Sequence, residues 1–243
     1  MKKYKILTIV AVAFLGAAFA SAQTADEIIG NYLSAIGGKE QIAQISSVYM
    51  EGTLDAMGNQ GIIKLTQLNG KGFKQEIEVM GTSVIMCYTD SSGWQINPMT
   101  GNYSAETMPD NQYQASRDEI YIGGLFMTNY QEKGYKVELM EQESVGDVNA
   151  YKLQVITPGN IESIYYIDPT TNYLIRLVQK GEMMGQSMEI VLSYSNYQKA
   201  ENGYAIPYTI ETNYGGQFFL TTNITKVEFN QPIDAAVFAK PQE

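Results

Sequence analysis

Between Asn160 and Asn230 apolar and polar positions alternate in five extended runs: Ile161–Ile167, Tyr173–Gly181, Gln186–Tyr197, Tyr204–Asn213 and Gln217–Phe229. A period of two is the mark of a strand. The breaks between the runs carry explicit turn chemistry. Asp168-Pro169-Thr170-Thr171-Asn172 places Pro at the second position of a type I turn, followed by an Asn that tolerates the left-handed conformation. Asn202-Gly203 and Gly215-Gly216 are two-residue hairpin turns, because both central residues of a type I′ turn need positive φ. The last third of the chain therefore reads as an antiparallel meander.

The first half repeats the pattern after a helical opening. Thr24-Ala25-Asp26-Glu27 is a capping box, and Ala25, Ile28, Ile29, Tyr32, Leu33 and Ile36 recur at helical spacing to form one apolar stripe. Gly37-Gly38 stops this helix and Lys39–Ile45 reads as a short second one. Such a helix either packs on the outside of the sheet or covers the mouth of a curved one. Strands follow at Ser47–Met57, Gln60–Asn69, Gly72–Met80, Thr82–Thr89 and Trp94–Asn97, with a short run at Tyr103–Thr107. Pro109 then starts a helix expected to reach Ile122 and end at Gly123-Gly124, before the apolar cluster Leu125-Phe126-Met127. That Gly-Gly reads equally as the hinge of a lid and as an ordinary connection tucked into the core. Gly134–Ser144 and Asp147–Thr157 form one more hairpin.

Eleven or twelve long strands in next-neighbour order suit one strongly coiled antiparallel sheet, a half-open barrel, rather than a sandwich. The alternation is not strict. In Val84–Tyr88 and Ile161–Ile167 both sets of positions carry large apolar side chains, which implies either two partly covered faces or one face lining an apolar interior while the other takes helices. No repeat, charge block or low-complexity linker divides the chain, so residues 23–243 read as one mainly β domain with helices as a lid.

Composition changes the picture in three ways. Lys2, Lys3 and Lys5, the apolar run Ile6–Ala20 and Ala20-Ser21-Ala22 form a secretory leader cleaved after Ala22. The product is expected in the periplasm, and Gln23 at the cleavage point offers no acyl-anchoring Cys. The chain carries a net charge of −10, and removing three Lys takes it to −13, which disfavours nucleic acid and anionic lipid as partners. The single Cys87 sits mid-strand and reads as a small buried hydrophobe.

Catalytic chemistry is hard to place. The chain has no His, which removes the commonest general base and most zinc and copper sites. No phosphate-binding loop or dinucleotide fingerprint is present. Glu76 and Glu78 share one face of a strand, but any water-facing strand produces that spacing. We therefore expect neither an enzyme nor a cofactor. What remains is apolar and adaptable: eleven Met and seventeen Tyr beyond the leader. Met fits surfaces that accept ligands of varied shape, and Tyr suits the rim of such a cavity.

Four stretches then carry a family resemblance: Gly93–Gly101, Tyr166–Arg176, Tyr194–Tyr197 running on to Asn202–Pro207, and Ile224–Asn230 with Pro232-Ile233-Asp234 and Val237-Phe238. The chain resembles the LolA-like periplasmic carriers that sort outer-membrane lipoproteins. The resemblance implies an eleven-stranded half-barrel with a helical lid over an apolar cavity, and lipid or a lipoprotein acyl chain as cargo. Envelope lipoprotein-handling proteins would be its partners. It also implies a basic residue in the barrel that holds the lid, for which Lys64 and Arg176 are the candidates by type. Strand parity and helix facing select the ligand-lining set. From the helices and lid come Ile28, Tyr32, Leu125, Phe126 and Met127. The first strands supply Met50, Leu54, Leu65, Ile77, Met86 and Trp94, and the last ones Tyr166, Met188, Ile190, Phe218 and Leu220. The alternative is a protein-interaction module of the cell envelope whose cavity is filled by its own side chains.

Overall fold

The computed structural model describes residues 23–183 and 186–242, so the leader and its cleavage site lie outside the described residues. Two meanders make up the body. The first comprises β1 (Ser47–Ala56), β2 (Asn59–Leu68), β3 (Gly72–Val79), β4 (Thr82–Thr89), β5 (Gly93–Asn97) and β6 (Asn102–Thr107). The second comprises β7 (Lys136–Val145), β8 (Val148–Ile156), β9 (Glu162–Ile167), β10 (Leu174–Met183), β11 (Gln186–Lys199), β12 (Ala205–Tyr214) and β13 (Phe218–Phe229). Antiparallel pairing of β1 with β13, from Val48 opposite Phe229 to Ala56 opposite Leu220, joins them into one sheet of 13 strands.

The expected architecture holds, with a few local corrections. The sheet has 13 strands rather than about eleven, because the short β5 and β6 pair into one edge, Trp94 opposite Thr107. Two hairpin turns fall one residue early, at Met57-Gly58 and Met80-Gly81, where all four residues have positive φ. The turn at Asp168 forms as read: its carboxylate accepts from the Thr170 amide at 2.8 Å and the Thr171 hydroxyl at 2.7 Å, and Asn172 has φ 58°.

Strand order dictates the path of the remaining chain. β6 and β7 are the two edges of the sheet, so residues 108–135 must travel from one edge to the other. They cross the face that the N-terminal helices α1 (Ala25–Ala35) and α2 (Lys39–Ala43) also cover, here called the inner face. The single helix expected from Pro109 to Ile122 is broken into α3 (Asp110–Ser116) and 3₁₀ segments at Arg117–Ile120 and Ile122–Met127. The β2–β3 turn explains the break. The Gln67 amide donates to the Glu119 carbonyl, the Gly70 amide to the Ile120 carbonyl at 2.8 Å, and the Ile122 amide to Asn69 Oδ1 at 3.3 Å. Backbone groups that would extend a helix are taken by the sheet. The Gly-Gly stretch is an internal connection, since Ile122 and Met127 on either side are buried.

The outer face of β3–β5 is covered too. Residues 230–242 run back across it, and a 3₁₀ turn at Ala235–Phe238 wedges the Phe238 ring beside Cys87 and Trp94. Trp94 Nε1 donates to the Phe238 carbonyl at 2.8 Å. A Cβ on Gly72 would lie 2.6 Å from the Phe238 ring, so the wedge requires glycine there. This cover, with the crossover on the other face, is why Val84–Tyr88 is apolar on both sides. Desolvation pushes the Cys87 thiol up to about 12, which makes it an inert core group.

Asn69 ties three elements together, because its Nδ2 also donates to the Ile45 carbonyl at 3.0 Å. Replacing it with Ala leaves that carbonyl and the Ile122 amide unpaired. Asn69→Ala is expected to lower unfolding free energy by about 1–3 kcal/mol, read as a reduced denaturant midpoint at unchanged slope.

Candidate functional site

Residues directly opposite in an antiparallel ladder share a face, so register alone maps the inner surface. Met50 lies opposite Leu65, Leu65 opposite Gln75, and Gln75 opposite Met86. One step along, Leu54 faces Thr222 and Ala56 faces Leu220. Phe218 is opposite Tyr214, Tyr214 opposite Ile190, and Met188 opposite Gly181. Nine strand residues chosen from sequence therefore share the inner face: Met50, Leu54, Leu65, Ile77, Met86, Met188, Ile190, Phe218 and Leu220.

Two buried clusters fill the half of this face beneath the helices and crossover. The larger joins Ile28, Ile29, Tyr32 and Leu33 of α1 to Ile122 and Met127 of the crossover and to Leu153, Ile167 and Ile206 of the sheet. The capping box that starts α1 is present, with the Glu27 amide donating to Thr24 Oγ1 at 3.2 Å. Ile28, Tyr32 and Met127 are thus core residues, with Met50 packed against them. The smaller cluster joins Phe73 and Tyr88 to Met108, Tyr113 and Ile120, with Leu65 and Met86 against it. Polar latches close this half: Tyr113 Oη donates to the Thr89 carbonyl at 3.0 Å and Tyr130 Oη to Asp26 at 2.7 Å.

The other half of the inner face is different. Ile77, Met188, Ile190, Phe218 and Leu220 are half-buried and belong to none of the three buried clusters among the described residues. They form an apolar surface reached by solvent. Trp94 and Tyr166 lie on the outer face instead: Trp94 is held by Phe238, and Tyr166 sits between Lys152 and Arg176, 5.8 and 6.0 Å from its ring centre. The side chains of Leu125 and Phe126 lie outside the described residues. Neither basic candidate reaches the lid. Lys64 is exposed on the outer face opposite Glu76, and Arg176 stacks over Tyr166 there. Amides of the β2–β3 turn do the holding.

One inner residue escaped the sequence reading. Glu119, on the crossover beside the buried Ile120, keeps part of its surface exposed to solvent. Desolvation, with the Asp118 charge adding, pushes its carboxyl up to about 7. The Tyr88, Tyr165 and Tyr194 hydroxyls are raised chiefly by burial, with the Glu119 charge contributing. No sequence pattern marks this acid, since its place depends on how the crossover breaks. A depression of about 240 Å³ between Thr89, Trp94, Phe238 and Lys240 lies beside the C-terminal wedge, away from the inner apolar row.

No protein-family model and no curated protein matches the chain. Solved structures do. A LolA superfamily protein from Nitrosomonas europaea matches with TM-score 0.59 at 12% identity, covering 90% of this chain and 99% of that one. A domain from Vibrio parahaemolyticus assigned to outer membrane lipoprotein sorting matches with TM-score 0.55 at 15% identity, covering 88% and 95%. A DUF1329 family protein from Desulfovibrio piger matches with TM-score 0.54 at 13% identity, covering 87% and 97%. The resemblance seen in the sequence holds at the level of the fold, and the chain has a LolA-like fold.

Glu119 supplies a test of this desolvation. A carboxyl whose folded pKa is raised binds its proton more tightly in the native state, so stability falls as pH rises from its unfolded value towards about 7. Glu119→Gln removes that loss. The variant should melt higher than the parent at pH 8, with the gain shrinking to nothing near pH 4.

Proposed function

We propose that this LolA-like chain is a periplasmic carrier or binding protein for a lipoprotein acyl chain or another hydrophobic ligand, held on the open half of the inner face beside the helical lid. The observation that carries this reading is the half-exposed apolar row Ile77, Met188, Ile190, Phe218 and Leu220, which continues the inner face past the lid and packs into no core cluster. A surface of this kind has no directional chemistry to offer a polar substrate. It suits an acyl chain, whose burial contributes roughly 0.8 kcal/mol per CH₂. The secretory leader read at residues 1–22 supports the periplasmic address, and a fold neighbour assigned to lipoprotein sorting supports the kind of cargo. Envelope proteins that hand over or receive lipoproteins are the matching partners. No described helix is long and apolar enough to cross a membrane. A chain without His, whose inner row is aliphatic, thioether and aromatic, fits a non-enzymatic role.

A second reading draws on the filled half of the inner face. There Ile28, Tyr32, Ile122 and Met127 occupy the space a ligand would take. If the rest closes similarly, the protein is an interaction module of the envelope. Native mass spectrometry of protein purified without detergent, with displacement of a hydrophobic fluorophore by fatty acid, separates the two. Retained lipid or displacement is expected; the absence of both would favour the interaction module. Met188→Gln sets an amide against the acyl chain, at a cost of about 1–2 kcal/mol. It should weaken fatty-acid uptake roughly tenfold while leaving the melting temperature nearly unchanged.

A further inference from the structure

Alternation of strand direction sorts the turns of this sheet onto two ends, and the two ends differ in charge. At one end lie the turns at residues 69–71, 90–92, 146–147, 168–173 and 200–204. Each contains a charged residue: Lys71, Asp90, Asp147, Asp168 and Glu201. The crossover and α2 are latched at this end, through Asn69, Gly70 and Thr89. At the other end lie the turn at residues 157–161 and those at 57–58, 80–81, 98–101 and 215–217, the last four being consecutive tips along the sheet from β6 to β12. None of them contains an acid or a base, on a chain with 42 charged side chains and a net charge of −10 (16 Lys and Arg, 26 Asp and Glu). Two acids stand two residues from one of these four tips: Asp55 is turned back onto the Gly58 amide at 2.8 Å and Gln60 Nε2 at 2.6 Å, and Glu78 lies on the outer face of β3, exposed.

Apolar side chains occupy these neutral tips instead. Met57 is 60% exposed, Met80 80%, Met99 63% and Phe219 48%. Two of them stand in an unfavourable backbone state. Among the described residues seven non-glycine positions have positive φ: five are Asn, the residue that tolerates it, and the other two are Met57 and Met80. Each occupies the first central position of a type I′ turn, where Asn or Gly fits best, and neither gains burial within the protein in return. The fold does not account for a strained, exposed thioether at two successive tips. A surface that receives those tips does.

We propose that this neutral end is a docking edge for the surface of a lipid bilayer, with Met57, Met80, Met99 and Phe219 entering the boundary between headgroups and acyl chains. The tips stand in a row about 35 Å along the sheet, at roughly 4.8 Å per strand. Met57, Met80 and Met99 each stand singly in a turn and Phe219 in the strand just after one, as a comb and not as a groove. A protein partner needs a close-packed core with a polar rim, whereas a lipid interface takes up separate apolar groups without matching their shape. The absence of acidic groups from the tips themselves lets a strongly acidic chain approach headgroups by this end and not by the latched one. The edge also adjoins the open half of the inner face, since Phe218 and Leu220 follow directly from the tip at residues 215–217. The inference does not require that half to hold cargo.

Flotation of the leaderless protein with phosphatidylcholine vesicles tests this, alongside the double variant Met57→Asn, Met80→Asn. The parent should float with the vesicles and remain bound at high salt, and phosphatidylglycerol in the vesicles should weaken it. The variant should partition at least tenfold less, with a melting temperature equal to or above the parent's because Asn relieves both turns. No flotation of the parent, binding that needs phosphatidylglycerol and fails in salt, or equal partition of the variant would overturn the proposal. A concentration-dependent dimer of the parent that the variant abolishes would overturn it in favour of self-association. Fluorophore displacement by fatty acid, measured without vesicles, reports on cargo binding separately from either result.

Discussion

The pairing of β1 with β13 holds this molecule together. It brings residues 47–56 against residues 218–229, with Val48 opposite Phe229, and it is the one seam between two meanders that otherwise contain only next-neighbour hairpins. Because the seam lies in the middle of the sheet, the ends of the two meanders become its edges. The segment between β6 and β7 is thereby obliged to cross the whole inner face. A lid is therefore a topological consequence of where the first and last strands meet, before any side chain in it is considered. The seam also carries a register shift after Glu51, where β13 holds an extra residue, and bulges of this kind increase strand twist and curl a sheet. Contacts of such long sequence separation form late and slowly, so the hairpins on either side should gain structure before the sheet closes.

Given that path, the contrast between the two halves of the inner face follows from hydrogen-bond satisfaction. A crossover carries unpaired backbone groups wherever it is not helical, and these must find partners if it is to lie against apolar strands. The β2–β3 turn supplies them at one end of the sheet through Gln67, Asn69 and Gly70. At the opposite end the four tips from β6 to β12 contribute Met, Gly, Pro, Thr and Gln. The crossover therefore seats firmly on one half and leaves the other half accessible.

Much of this was legible in local patterns. Turn chemistry located nearly every hairpin, because Asn-Gly, Gly-Gly and Asp-Pro specify backbone conformations that few other pairs adopt. Parity then placed nine strand residues on one face, since a shift of one residue would have moved them all together. Trp94 and Tyr166 went to the other side for a reason parity cannot reveal. Outer-face cover is supplied by distant chain, residues 230–242 over Trp94 and the stacked cations Lys152 and Arg176 around Tyr166. The break in the crossover helix, and with it the position of Glu119, was illegible for the same cause: a turn fifty residues earlier competes for its carbonyls.

Glu119 lies on the latched crossover, next to the buried Ile120, where desolvation acts on its carboxyl. A carboxyl sealed in a dry core would be held neutral outright, and one on an open surface would keep its ordinary acidity. With its carboxyl raised to about 7 Glu119 is neither case, and the open half of the inner face is likewise a recess that is neither core nor bulk surface, lined by apolar side chains that solvent reaches. Filling that recess with the protein's own side chains would add stability, as it does on the latched side. The open half carries instead Met188 and Phe218, large apolar groups left half in water. That arrangement forgoes burial this fold could readily have made, and a surface kept open at the expense of stability is available to something other than the chain itself.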